Sequence, residues 1–138
     1  YALGPNPVHC VRCNLEIRPE ELLLPPDLIE GLAAWCSVWG SIDRLWLASG
    51  AYEEWAAAEL ADVNSPANRQ GLELAARIAS ANPCYLQYFE DESVEGWKPL
   101  SSCPSCGKSP EDRTSGRFPH RVCDSCHLVF WGERGTSA

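Results

Sequence analysis

The sequence predicts an α+β protein with two parts, a small helical and mixed α/β body over residues 1–96 and a zinc ribbon over residues 97–138. Apolar residues recur at helical spacing in the first part, which indicates amphipathic helices around a core. Two C-x2-C pairs occupy the second part at a separation typical of zinc sites. Hydrophobic residues make up 45% of the 138 positions, so a core can form.

The first element is another C-x2-C pair, Cys10 and Cys13, hereafter the N-terminal pair. Such a pair supplies half of a tetrahedral zinc site. We therefore consider a second zinc here, completed by Cys36 and Cys84, or by His9 with one of them. The alternatives are a redox-active pair and reduced thiols without a metal, since free cysteines often act as small buried hydrophobes.

The next stretch predicts a short strand, a helix and a second strand. Residues 15–18 alternate like a strand. Prolines at 25 and 26 break the chain, and Asp27 is the predicted N-cap of a helix over residues 28–38. We expect Gly40 to end this helix and residues 43–48 to form a strand.

Two further helices and a strand complete the predicted body. An alanine-rich helix is expected over residues 51–61, with Tyr52 and Trp55 facing inward. Asn64-Ser65-Pro66 then begins a helix that runs to about residue 81, because proline suits the first helical position. Residues 84–89 alternate as a strand, and the acidic loop 90–95 connects the body to the ribbon.

The C-terminal pairs supply four thiolates, which is the donor set that a structural zinc prefers. The predicted ligands are Cys103, Cys106, Cys123 and Cys126, hereafter the four-cysteine cluster. Strands are expected at 117–122 and 128–131, on either side of the second pair. A site whose four positions are all filled by protein is structural rather than catalytic. Two disulfides are the alternative, but nothing marks the chain as secreted.

The order of these motifs resembles a family of uncharacterised bacterial zinc-ribbon proteins for which nucleic-acid binding has been suggested. The resemblance covers roughly residues 8–131. It rests on the stretches Cys10-Val-Arg-Cys13, Leu45-Trp-Leu-Ala-Ser-Gly-Ala-Tyr-Glu-Glu-Trp55 and Asn64-Ser-Pro-Ala-Asn-Arg-Gln-Gly71, on the tyrosine-rich residues 85–89 and on the four-cysteine cluster. It implies the ribbon fold and a nucleic-acid ligand. The chain departs from the family pattern at residues 108–112, which are more polar.

Charge separates two hypotheses for function. Residues 1–100 hold six basic and fifteen acidic side chains, and residues 101–138 hold five and four, for a total of −8. The first hypothesis is RNA or single-stranded DNA binding by the ribbon hairpin, through phosphate contacts and stacking. Its predicted contact residues are Arg113, Arg117, Phe118, His120 and Arg121. The second is an acidic module that binds a basic protein, such as an adaptor, an inhibitor or immunity-type protein, or an assembly subunit.

The remaining expectations concern absences. The sequence contains no phosphate-binding, hydrolase or metalloprotease motif, so we predict no enzyme and no small-molecule substrate. It contains neither an apolar run of membrane-spanning length nor a secretion signal, so we predict a cytoplasmic protein without membrane association. Because the chain begins at Tyr1 and lacks methionine, we expect it to be the later part of a longer protein.

Overall fold

The computed structural model describes residues 6–132. They contain three α-helices and a four-stranded sheet, which confirms the α+β class. The helices are α1 (Pro26–Ala48), α2 (Glu53–Ala61) and α3 (Pro66–Ala79), and a short 3-10 helix spans Pro19–Leu22. The strands are β1 (Leu86–Gln87), β2 (Glu111–Asp112), β3 (His120–Cys123) and β4 (Leu128–Trp131). Among the described residues, no helix is both long enough and apolar enough to cross a membrane.

Helix α1 corrects the predicted helix over 28–38 and strand over 43–48, because one continuous helix covers both. A glycine inside a helix costs only about 1 kcal/mol relative to alanine, so Gly40 does not end it. The helical spacing of apolar residues continues beyond it, and both Trp39 and Ile42 are buried against α2. The gain from burying these side chains exceeds the cost of the glycine.

The start of α1 also differs from the prediction. Pro25 is the N-cap, without a side-chain hydrogen bond, and Pro26 fills the first helical position. Asp27 lies in the first turn instead, where its Oδ2 accepts a hydrogen bond from Arg77 of α3 at 2.8 Å. This bond lowers the pKa of the Asp27 carboxyl and connects α1 to α3.

Helix α3 begins as predicted. Ser65 is its N-cap and accepts a hydrogen bond from the backbone N–H of Asn68 at 3.3 Å, while Pro66 takes the first helical position. The Asn68 amide in turn donates to the carbonyls of Leu60 and Asp62, each at 2.8 Å. These bonds give partners to two carbonyl groups at the C-terminal end of α2 and hold α2 against α3.

The strand order is β1-β4-β3-β2, with β1 parallel to β4 and the other neighbours antiparallel. Strand β4 matches its predicted bounds, whereas β3 starts only at His120. Leu86 and Tyr88 donate backbone hydrogen bonds to the turn before β4 and to β4 itself, at 2.7 and 3.0 Å. The pairing of β1 with β4 therefore joins the predicted body to the predicted ribbon, and the boundary at residue 96 stays a prediction.

A buried carboxylate on α1 makes a stability test possible. Asp43 is 0% exposed, and its carboxylate oxygens have no hydrogen-bond partner among the residues that the structure describes. Burial raises the pKa of this group. The folded-state pKa of Asp43 exceeds the unfolded value of about 4. The free energy of unfolding therefore falls as pH rises from the unfolded to the folded pKa, and it stays lower at higher pH.

We expect Asp43→Asn to raise the free energy of unfolding at pH 7 by about 1–3 kcal/mol, since it removes a buried charge. Urea unfolding at pH 7 measures this, and Glu30→Gln on the exposed face of α1 is the matched control, with a change under about 0.5 kcal/mol. The gain of Asp43→Asn should shrink near pH 4. A loss of stability at pH 7 would show that the Asp43 carboxylate is stabilising.

Candidate metal centre

The sulfur atoms of the four-cysteine cluster converge. All four lie within 4.8 Å of one another, and the Cys106 and Cys123 sulfurs are 3.6 Å apart. In a tetrahedral zinc site with Zn–S bonds of about 2.3 Å, neighbouring sulfurs are about 3.8 Å apart. The sulfur positions therefore fit a metal ion at their centre.

A tight turn positions the first two sulfurs. The N–H of Cys103 donates to the carbonyl of Lys108 at 2.7 Å, and the N–H of Gly107 donates to the carbonyl of Cys103 at 2.8 Å. Gly107 has φ 78°, a left-handed conformation that glycine adopts without steric cost. The turn brings Cys103 and Cys106 to the same side of the loop.

The β3–β4 turn positions the other two sulfurs. Cys123 is the last residue of β3 and lies opposite Leu128, the first residue of β4. Between them, the N–H of Cys126 donates to the Cys123 carbonyl at 3.3 Å, and His127 has φ 56°. The second pair is therefore held by the hydrogen-bonded ends of two strands.

The thiols of the cluster have unequal acidities. Burial raises the pKa of Cys103 to about 12, whereas a backbone hydrogen bond from Lys108 lowers the pKa of Cys106 to about 7. A divalent cation among the sulfurs offsets the cost of burying several thiolates and deprotonates the coordinating thiols. Four soft sulfur donors in a tetrahedral arrangement suit zinc or iron. The donor set therefore fits the predicted metal.

The N-terminal pair is not joined by the other predicted ligands. Within residues 6–132, only the four-cysteine cluster brings three or more potential ligands together. Cys36 and Cys84 instead line a largely apolar cavity of about 420 Å³, which Cys10 borders as well. Burial raises the pKa of both thiols. The second zinc with these ligands stays a prediction.

The predicted nucleic-acid contact residues occupy different environments. His120 and Arg121 are only 2% and 1% exposed, and Arg121 donates to the carbonyl of Leu100 with its guanidinium 6.0 Å from the ring centre of Phe130. In this conformation neither side chain can reach a phosphate. Arg121 belongs to β3, which lies between β4 and β2, and this central position buries its side chain.

The other three predicted contact residues are exposed but not equivalent. Arg113 forms ion pairs with Glu111 at 2.9 Å and with Asp124, so carboxylates already surround its charge. Arg117 is exposed, and Phe118 is 37% exposed. The structure thus brings Arg117 and Phe118 to one surface loop, and nucleic-acid contact by them stays a prediction.

Sequence reasoning missed an apolar surface at the junction of α1 and α2. Leu45, Tyr52 and Trp55, hereafter the aromatic corner, line one shallow surface. Tyr52 and Trp55 are 60% and 52% exposed, although both were expected to face inward. Glu53 and Glu54 are exposed beside them. The buried residues of α2 are the small Ala56 and the apolar Leu60. The sequence did carry a signal for this surface, namely two aromatic residues three positions apart with two glutamates between them.

A protein-family model matches more than half of the chain. The matching family is described as a domain of unknown function (DUF2310), and its model covers residues 7–89. That region holds the N-terminal pair, the three helices and β1, and it ends before the four-cysteine cluster. The match agrees with the expected uncharacterised family, while the description names neither zinc nor nucleic acid. No curated protein and no solved structure matches the chain.

Proposed function

The chain belongs to the family of the domain of unknown function DUF2310, and we propose that it is a non-enzymatic protein-binding module stabilised by zinc. The observation that carries the zinc assignment is the convergence of four cysteine sulfurs within 4.8 Å. Strands β3 and β4 form an antiparallel hairpin whose turn holds two of these sulfurs. Together with the turn at Cys103 and Cys106, this arrangement supports a zinc ribbon.

The proposed role of the zinc is structural. Four cysteines fill all four positions of a tetrahedral ion, so no position is left for a substrate or an activated water. The metal would link the loop before β2 to the β3–β4 turn, and it would thereby hold a sheet whose strands have only two to four residues. Reduced thiols of this kind suit the cytoplasm, where we place the protein.

The proposed binding surface is the aromatic corner. Tyrosine and tryptophan dominate the binding energy of many protein interfaces, because they bury a large area at a small entropy cost. Glu53 and Glu54 border this surface, and the chain carries a net charge of −8. Charge complementarity therefore favours a partner segment that combines apolar side chains with lysine or arginine.

A second candidate function is RNA or single-stranded DNA binding at the ribbon loop. The observation in its favour is the close approach of Gly116 to the N-terminal turn, since a Cβ added at Gly116 would lie 2.9 Å from the carbonyl oxygen of Arg12. This contact brings the exposed residues Arg12 and Arg117 onto adjoining segments, next to Phe118. Two cations and an exposed ring suit a phosphate and an unpaired base.

One titration separates the two functions. Fluorescence anisotropy is measured with a labelled amphipathic lysine–leucine peptide, its glutamate–leucine counterpart and single-stranded RNA. We expect the cationic peptide to bind, and Trp55→Ala to weaken binding at least about tenfold, the loss typical of a central aromatic. Arg117→Glu is the matched control and should leave peptide affinity unchanged.

The opposite pattern would contradict the proposal. RNA binding that Arg117→Glu abolishes and Trp55→Ala does not affect would assign the function to the ribbon loop. Equal affinity for the cationic and anionic peptides would exclude charge complementarity at the aromatic corner. Circular dichroism of both variants confirms that they are folded.

A further inference from the structure

The N-terminal pair adopts the same type of turn as the first pair of the four-cysteine cluster. The N–H of Cys10 donates to the Leu15 carbonyl at 2.9 Å, just as Cys103 donates to the residue five positions later at 2.7 Å. The N–H of Asn14 donates to the Cys10 carbonyl at 2.8 Å, the same length as the bond from Gly107 to Cys103. The two turns therefore share both backbone bonds at equivalent positions.

The residue that closes each turn is also equivalent. Asn14 has φ 58°, and Gly107 and His127, which follow the second cysteine of their own pairs, have φ 78° and 56°. Asparagine is one of the few non-glycine residues that adopts this left-handed conformation readily. All three C-x2-C pairs of the chain are thus followed by a residue with positive φ, although only two of them lie in the four-cysteine cluster.

The N-terminal pair lies at the surface of the molecule. Cys13 is exposed and Cys10 is partly exposed, so both residues are accessible to a metal ion and to a second chain.

Two further ligands are needed, and this part of the chain does not supply them. All eight cysteines and all three histidines of the printed sequence lie within residues 6–132. Within that range no third cysteine, histidine or carboxylate converges with the N-terminal pair. The ring Nδ1 of His9, the nearest histidine in sequence, lies 3.2 Å from the carbonyl oxygen of Asn14.

We propose that the N-terminal pair is half of a zinc site, and that the same pair of a second copy of this chain completes it. Two copies related by a two-fold axis through the metal supply four thiolates in the tetrahedral geometry that zinc prefers. Each thiol that coordinates releases its proton to solvent. This site is separate from the four-cysteine cluster and does not depend on the function proposed for the aromatic corner.

The experiment combines light scattering with metal analysis on the full chain, loaded with zinc and kept reduced with a phosphine so that disulfide dimers are excluded. We expect a dimer with about three zinc ions per two chains, one in each four-cysteine cluster and one shared. Cys13→Ser should halve the molar mass and remove one third of the zinc. Cys36→Ser is the matched control and should retain the dimer and its zinc.

Other outcomes overturn the proposal. A monomer with one zinc ion per chain would mean that the N-terminal pair binds no metal. A monomer with two zinc ions per chain would mean that ligands of the same chain complete the site. A dimer that persists with unchanged zinc in both Cys13→Ser and Cys10→Ser would show that another surface joins the copies. Circular dichroism of each variant shows whether it is folded, and the zinc of the four-cysteine cluster reports separately on the ribbon.

Discussion

Replacing Cys123 by serine is expected to release the zinc of the four-cysteine cluster and to unfold β2, β3 and β4. Strands β2, β3 and β4 have only two to four residues each, and the bound metal contributes its binding free energy directly to folding. We expect the free energy of unfolding of this region to fall by more than about 4 kcal/mol, as is typical when a metal site is lost. Hydrogen exchange of the β3 and β4 amides measures the effect.

The comparison variant is Cys36→Ser, since Cys36 lies outside the four-cysteine cluster and borders the apolar cavity. It should keep the zinc of the cluster and the slow exchange of the β3 and β4 amides. Helices α1 and α3 should remain folded in both variants, because their shared core of leucine and isoleucine side chains lies apart from the cluster. Unchanged exchange in Cys123→Ser would show that the sheet is stable without the metal.

Replacing Gly71 by alanine is expected to destabilise the junction of α1, α3 and β1. An added Cβ would lie 2.9 Å from Nε1 of Trp35 and 3.0 Å from Cδ1 of Leu86. Trp35 cannot move freely, because its Nε1 donates to the Ala67 carbonyl at 2.8 Å. Overpacking of this kind costs about 1–3 kcal/mol, more than the gain of about 1 kcal/mol from alanine in a helix.

Gly40→Ala is the matched control, since an added Cβ at Gly40 meets no atom within 4 Å. It should stabilise α1 by about 0.5–1 kcal/mol, the usual difference between glycine and alanine inside a helix. Urea unfolding followed by tryptophan fluorescence gives both values. Equal stabilisation by the two substitutions would mean that Trp35 and Leu86 adjust to the extra methyl group without loss.

The features that could be predicted from the sequence depend on local signals. The spacing of Cys103, Cys106, Cys123 and Cys126 indicated a convergent site, and the structure brings their sulfurs together. Ser65 and Pro66 marked the start of α3, because capping involves only residues within one helical turn. These signals do not depend on how distant parts of the chain meet.

The features that could not be predicted depend on tertiary contacts. Considered alone, Gly40 indicates the end of a helix. The flanking apolar residues are packed in the core, however, and α1 continues past Gly40. The sequence predicts that Arg121 is a surface cation, yet its position in the middle of a four-stranded sheet buries it beside Phe130. The sequence predicts that Trp55 is buried, yet Ala56 and Leu60 occupy the buried face of α2. In each case the neighbours of the side chain decided the outcome.

Zinc K-edge X-ray absorption of the Cys13→Ser variant tests whether the four-cysteine cluster binds zinc through four thiolates, because this variant leaves the cluster as the only proposed zinc site. We expect zinc in the purified protein with four sulfur neighbours at about 2.3 Å. Nitrogen or oxygen neighbours at about 2.0–2.1 Å would contradict a four-thiolate site. Iron in place of zinc, or no bound metal, would contradict the zinc ribbon itself.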